Sequence, residues 1–220
     1  MTENKAHRIL DALRQDFELP DWRNETRDAF ETLVRTVISQ NTTSRNTARA
    51  FENLSKRFEI TPESLSKANE AEVEEAIRVA GLHRNKGRAL KKLSSVILEE
   101  YGGRLDFIFE VPLEQAREKL LELPGVGPKT ADVVLLFSAK KPTLPVDTHV
   151  DRVSKKLALV DVRADYEHVR KRLQLLFNHA DYYAVHVLFI LLGRRFCLAR
   201  RPLCSECPIN ELCPSKLVVG

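Results

Sequence analysis

The 220 residues are 43% hydrophobic and 30% charged, enough for one large domain or two small ones with a buried core. A formal charge of +4 is too small to name a partner, so the placement of charge matters more than its sum. The polar start MTENKAHRIL lacks an apolar signal stretch. The longest apolar run, YYAVHVLFILL at 182–192, is broken by His186 and falls short of the roughly 20 residues of a membrane span. No membrane segment is expected, and the location is expected to be intracellular and cytoplasmic. In such a reducing compartment four cysteines bind metal more readily than they form disulfides.

In chain order, helical periodicity dominates. A first helix is expected near 5–17. Residues 28–39 place Phe30, Leu33, Val34, Val37 and Ile38 on one face, and VISQNTTSRN (37–46) ends that helix at Gln40. Thr43 or Ser44 can cap the next helix, 44–58. TPES (61–64) reads as a turn, 71–80 as a helix, and GLHRNKG (81–87) as a loop holding Leu82 among basic residues. A helix over 86–101 follows, with Leu90, Leu93, Ile97 and Tyr101 on one face. Further helices are expected at 113–122, 128–139, 148–159, 165–178 and 182–196. Strand-like alternation is nearly absent, so the fold class is all-α. Two basic clusters, HRNKGRALKK (83–92) and GRRFCLARRP (193–202), contain no acidic residue; either can be a solvated helix face or a nucleic-acid surface.

The helical pattern pauses at LPGVGPKTADVV (123–134). LPGVG cannot continue a helix, and Pro128 suits the first position of a new one. Gly125 and Gly127 permit positive φ and leave backbone N–H groups uncovered, a seat for a phosphate oxygen at a helix N-terminus. An ordinary tight turn between helices fits the same spacing. Lys129 falls in the first turn, where the macrodipole disfavours a cation and favours a neutral, nucleophilic amine. A solvated, phosphate-touching lysine is the alternative. Asp147 opens DTHVDRV, where Asp is a preferred N-cap and Val150, Val153 and Leu157 form an apolar stripe. Cys197, Cys204, Cys207 and Cys213 are spaced C-x6-C-x2-C-x5-C, and four thiolates suit tetrahedral zinc or an iron–sulfur cluster.

LPGVGPKTADVV followed by PTLPVDTHVDRV resembles the signature of the helix–hairpin–helix DNA glycosylases, endonuclease III-like enzymes in particular, over roughly 25–215. The resemblance implies two lobes: a six-helix domain at 24–136 containing the hairpin, and a cluster domain made from 1–23 and 137–220. It implies a 4Fe–4S cluster on the four cysteines and double-stranded DNA, carrying damaged bases or abasic sites, as partner in the cleft between the lobes. A monomer is expected. Lys129 and Asp147 become the catalytic pair of a glycosylase and abasic-site lyase acting on oxidised or saturated pyrimidines. Gln40 and Leu82 become the residues inserted into the duplex, with Gly125, Gly127, Arg84, Lys86, Arg200 and Arg201 as backbone contacts. A uracil or thymine mismatch glycosylase shares the scaffold, and a non-catalytic cluster-bearing DNA-binding module is the alternative from another class. Asp132, where asparagine is common, and His83 beside Leu82 are small departures from the family pattern.

Overall fold

A computed structural model of the chain describes residues 2–20 and 28–216. Its described residues form helices joined by turns, with no strand among them. The helices are α1 (Thr2–Asp16), α2 (Ala29–Ser39), α3 (Ser44–Arg57), α4 (Pro62–Lys67), α5 (Glu70–Ala76), α6 (His83–Tyr101), α7 (Phe107–Glu110), α8 (Leu113–Glu122), α9 (Pro128–Phe137), α10 (Thr148–Lys156), α11 (Tyr166–Leu176) and α12 (Tyr182–Arg195). Short 3₁₀ turns lie at Arg78–Ala80, His179–Asp181, Cys204–Glu206 and Asn210–Leu212. The chain divides into two compact units, Glu25–Lys141 and Met1–Asn24 with Pro142–Gly220.

The first of these, the hairpin unit, buries one face of each long helix: Leu33, Val34, Val37 and Ile38 from α2, Leu90, Leu93 and Ile97 from α6, and Val134 and Leu135 from α9. Side chains cap the early helices. Asp28 accepts from the Glu31 amide, Thr43 from Asn46, Thr61 from Ser64 and Asn69 from Ala71, each filling an N–H that the helix itself leaves open. TPES, expected as a turn, supplies the cap and first turn of α4. The expected loop at 81–87 is also corrected, since α6 starts at His83 and runs through Gly87. A Cβ on Gly87 would come within 2.9 Å of Glu74 Cγ, so glycine here admits α5 rather than breaking α6.

The second unit gathers α1, α10, α11 and α12 around Ile9, Leu13, Val150, Val153, Leu173, Leu188 and Phe189. The apolar run at 182–192 is helix α12, 14 residues and thus about 21 Å long, mostly buried in this core. Among the described residues no single helix is long and apolar enough to cross a membrane. His186, the polar break in that run, is buried and donates from Nδ1 to the Pro145 carbonyl at 2.8 Å. It thereby anchors the segment that leads into Asp147.

Candidate active site and nucleic-acid interface

In the hairpin unit α8 ends at Glu122 and LPGVG turns the chain into α9, with Pro128 and Lys129 as its first two residues. Gly125 has φ +79°, which requires glycine. Gly127 does not use the positive φ open to it; it is the extended N-cap of α9 at φ −97°, ψ 177°. A Cβ added there would meet nothing within 4 Å, so the turn's own packing sets no demand for glycine at that position. No side chain caps α9, unlike the capped α2 to α5, so its N-terminal face is open to an external acceptor. Lys129 is half-buried in this first turn.

One turn further along α9, Asp132 is wholly buried and pairs with Arg117 of α8: Nε to Oδ1 at 3.0 Å and Nη2 to Oδ2 at 3.3 Å. This two-point pair crosses the hairpin and explains how a carboxylate is tolerated at a position where an amide is common.

Two turns of the same unit carry Gln40 and Leu82. Gln40 closes α2, is exposed, and its Nε2 reaches the Gly125 carbonyl at 3.4 Å. Leu82 is 56% exposed and sits in the left-handed region at φ 50°, ψ 29°. Such a backbone costs a leucine about 1–2 kcal/mol, which the surroundings must offset. Arg84 is exposed beside it. Lys86 is not at the surface. It is 4% exposed and donates to the Ile38 and Ala80 carbonyls at 2.8 and 2.9 Å, so its expected role as a phosphate contact is withdrawn. Burial pushes its amine below the ordinary lysine value.

In the other unit Asp147 is the N-cap of α10. Its Oδ1 accepts from the His149 and Val150 amides, both at 2.8 Å, which fixes the carboxylate. Farther along α10, Arg152 donates from Nε to the Cys197 carbonyl at 3.0 Å and from Nη2 to the Gly193 carbonyl at 2.9 Å. Gly193 is needed for this approach, since a Cβ there would lie 2.9 Å from His149 Nδ1. Arg152 Nη2 also stands 3.1 Å from His149 Nδ1; arginine only donates, so Nδ1 accepts and the imidazole proton is on Nε2.

Burial holds His149 below the ordinary histidine value, against the pull of Asp147 and with the charges of Arg152 and Arg194 pushing the same way. Acid therefore favours the unfolded chain, which binds a proton the folded site rejects. Stability contributed by His149 is fully present above about pH 6.5 and falls as pH drops below it. Urea unfolding across about pH 5 to 8 should show that slope, and His149→Gln should flatten it.

The four cysteines line one pocket with Phe196, Pro202, Asn210 and Lys216, beside the buried Ile209. Burial pushes the Cys197 and Cys207 thiols up, so a cationic partner is required to hold them as thiolates. Four thiol donors around one pocket match the ligand set of an iron–sulfur cluster. Arg200 and Arg201, between the first two cysteines, are exposed.

Residues 34–179 match the family model for the HhH-GPD superfamily base excision DNA repair proteins. The chain belongs to the HhH-GPD superfamily. Residues 197–213 match the iron–sulfur binding domain of endonuclease III, and the cofactor of this HhH-GPD protein is a 4Fe–4S cluster. Endonuclease III of Sulfolobus acidocaldarius is 35% identical over 94% of this chain and 95% of its own length. A thymine-DNA glycosylase of Aeropyrum pernix is 32% identical over 90% and 86%. Among solved structures, a trapped endonuclease III–DNA covalent intermediate superimposes with TM-score 0.85 at 32% identity, covering 98% of this chain and 97% of the other. The partner of this HhH-GPD protein is DNA. Sequence reasoning had missed Arg117, Arg152 and the buried state of Lys86. Each has a partner far along the chain, 15, 45 and 48 residues away respectively, which no local pattern shows.

Proposed function

We propose that the protein is a bifunctional DNA glycosylase and abasic-site lyase that removes oxidised or saturated pyrimidines and cuts the strand 3′ to the lesion. The observation that carries this reading is Lys129 in the first turn of the uncapped second hairpin helix, within a chain similar to endonuclease III along nearly its whole length. Its neutral amine attacks the sugar C1′, the C1′–N bond breaks, and the base departs with the bonding pair and a proton. The C1′–O4′ bond then opens, the remaining amine proton passing to O4′, and the imine this leaves on Lys129 acidifies the C2′ hydrogen. Loss of that proton expels the 3′ phosphate by β-elimination. Asp147, fixed by two backbone amides, supplies the carboxylate that stabilises positive charge developing on the sugar.

Gln40 and Leu82 fill the gap left by the extruded nucleotide, and an exposed leucine on a strained turn supports that role. The amides around Gly125 and Gly127, with Arg84, Arg200 and Arg201, hold phosphates. Cys197, Cys204, Cys207 and Cys213 would hold the cluster, which cross-links the tail. The hairpin unit and the cluster unit are the two lobes of the enzyme, which acts as a monomer inside the cell, on nucleoid DNA.

The thymine-DNA glycosylase relative supports a second reading, excision of mismatched thymine or uracil. Lys129 favours the first, because relatives without that lysine are generally monofunctional. Strand cleavage on duplexes carrying thymine glycol, dihydrouracil, uracil or mismatched thymine, each against every opposing base, decides between them. The proposal expects the first two to be cut fastest. Preference for a mismatch without strand cleavage would establish the second.

A further inference from the structure

We propose that Lys86 is a positioning residue that holds the Gln40 turn and the Leu82 turn together, so that both side chains enter the duplex as one unit. The proposal rests on the gap-filling reading of Gln40 and Leu82 given above.

The two carbonyls that Lys86 binds stand at equivalent places. Ile38 lies two residues before Gln40 and Ala80 two residues before Leu82. Each lies at the end of its own segment, where the backbone ladder runs out. Of the last four carbonyls of α2, Thr36 receives the Ser39 hydroxyl at 2.7 Å, Val37 the Gln40 amide at 3.3 Å and Ser39 the Thr42 amide at 3.4 Å; Ile38 receives Lys86. In the neighbouring 3₁₀ turn, Ile77 receives the Ala80 amide and Arg78 the Gly81 amide; Ala80 receives Lys86. Immediately beyond, each turn puts a non-glycine residue in the left-handed region, Asn41 at φ 52° and Leu82 at φ 50°. Backbone of that kind persists only where neighbours over-determine it.

A buried ammonium costs free energy unless its donors are satisfied, and an apolar side chain would fill the same space without that cost. What only lysine supplies here is one charge that two turns share. Through it, displacement of the Leu82 turn by DNA is transmitted to Gln40, 42 residues earlier in the chain.

Lys86→Met keeps the length and the apolar stem and removes the donors. The test substrate is a duplex with one dihydrouracil beside 2-aminopurine, whose fluorescence rises when the stack opens. At a temperature where circular dichroism shows the variant folded, most of that rise should be lost. Single-turnover excision should slow by about tenfold or more, while cleavage at a preformed abasic site stays within about twofold of wild type. Adding Lys86→Met to the Gln40→Ala/Leu82→Ala double variant should cost less than about threefold further, because the clamp acts through residues already removed.

Full multiplication of the two effects, or equal slowing on both substrates, would reveal a general scaffold role and overturn the proposal. If the double variant loses excision and Lys86→Met does not, the clamp alone falls. If the double variant is itself unimpaired, the gap-filling reading falls and takes the clamp with it. Hydrogen exchange on the wild-type protein tests the clamp independently of any variant's folding. The Gln40 and Gly81 amides should open together with one denaturant dependence, and separate openings would overturn it.

Discussion

Asp147→Asn is expected to slow base excision by about a hundredfold or more while the protein remains folded. Asparagine is as good an N-cap as aspartate, and its side-chain oxygen can still accept from the His149 and Val150 amides at the start of α10. What changes is the charge. A carboxylate stabilises the cationic sugar that forms as the C1′–N bond breaks, and an amide does so only weakly. Single-turnover excision measured beside a thermal melt separates the two roles. An unchanged melting temperature with a collapsed rate assigns Asp147 to the chemistry, whereas a wild-type rate reduces it to a helix cap.

Asp132→Ala should destabilise the protein by about 3–5 kcal/mol, because it removes the buried carboxylate that pairs with the Arg117 guanidinium. At this chain length the loss corresponds to a drop in melting temperature of roughly 10 °C. Asp132→Asn should lose much less, since the amide oxygen still accepts from Arg117. If Asp132→Ala melts within about 1 kcal/mol of wild type, the pair does not hold α8 to α9.

Features set by local spacing were legible in the sequence. The long helices follow from apolar residues three and four apart, the hairpin from Gly and Pro at 124–128, and the cofactor from the cysteine spacing together with the family resemblance. The short α4 and α7, with six and four residues, offer too few turns for a period to show, and both were missed. The reading of 81–87 as a basic loop failed on two residues. Gly87 sits inside α6 and makes room for Glu74, and Lys86, expected as a phosphate contact, is drawn inward by two carbonyls. Nothing in HRNKGRALKK distinguishes Lys86 from its neighbours. The difference arises from Ile38, whose free carbonyl exists only once α2 has ended beside α6.

Borohydride trapping tests the central claim most directly. Lys129 attacking C1′ must pass through an imine, which borohydride reduces to a permanent secondary amine joining protein to DNA. The wild-type protein, mixed with a lesion-bearing duplex and borohydride, should give this adduct, and peptide mapping should place it on Lys129. Lys129→Gln should give none and should cut no strand, yet still bind the duplex through the backbone amides around Gly125 and Gly127. An undiminished adduct or retained strand cleavage in Lys129→Gln would contradict the account and leave the lysine as a phosphate contact, with Asp147 activating water in a monofunctional glycosylase.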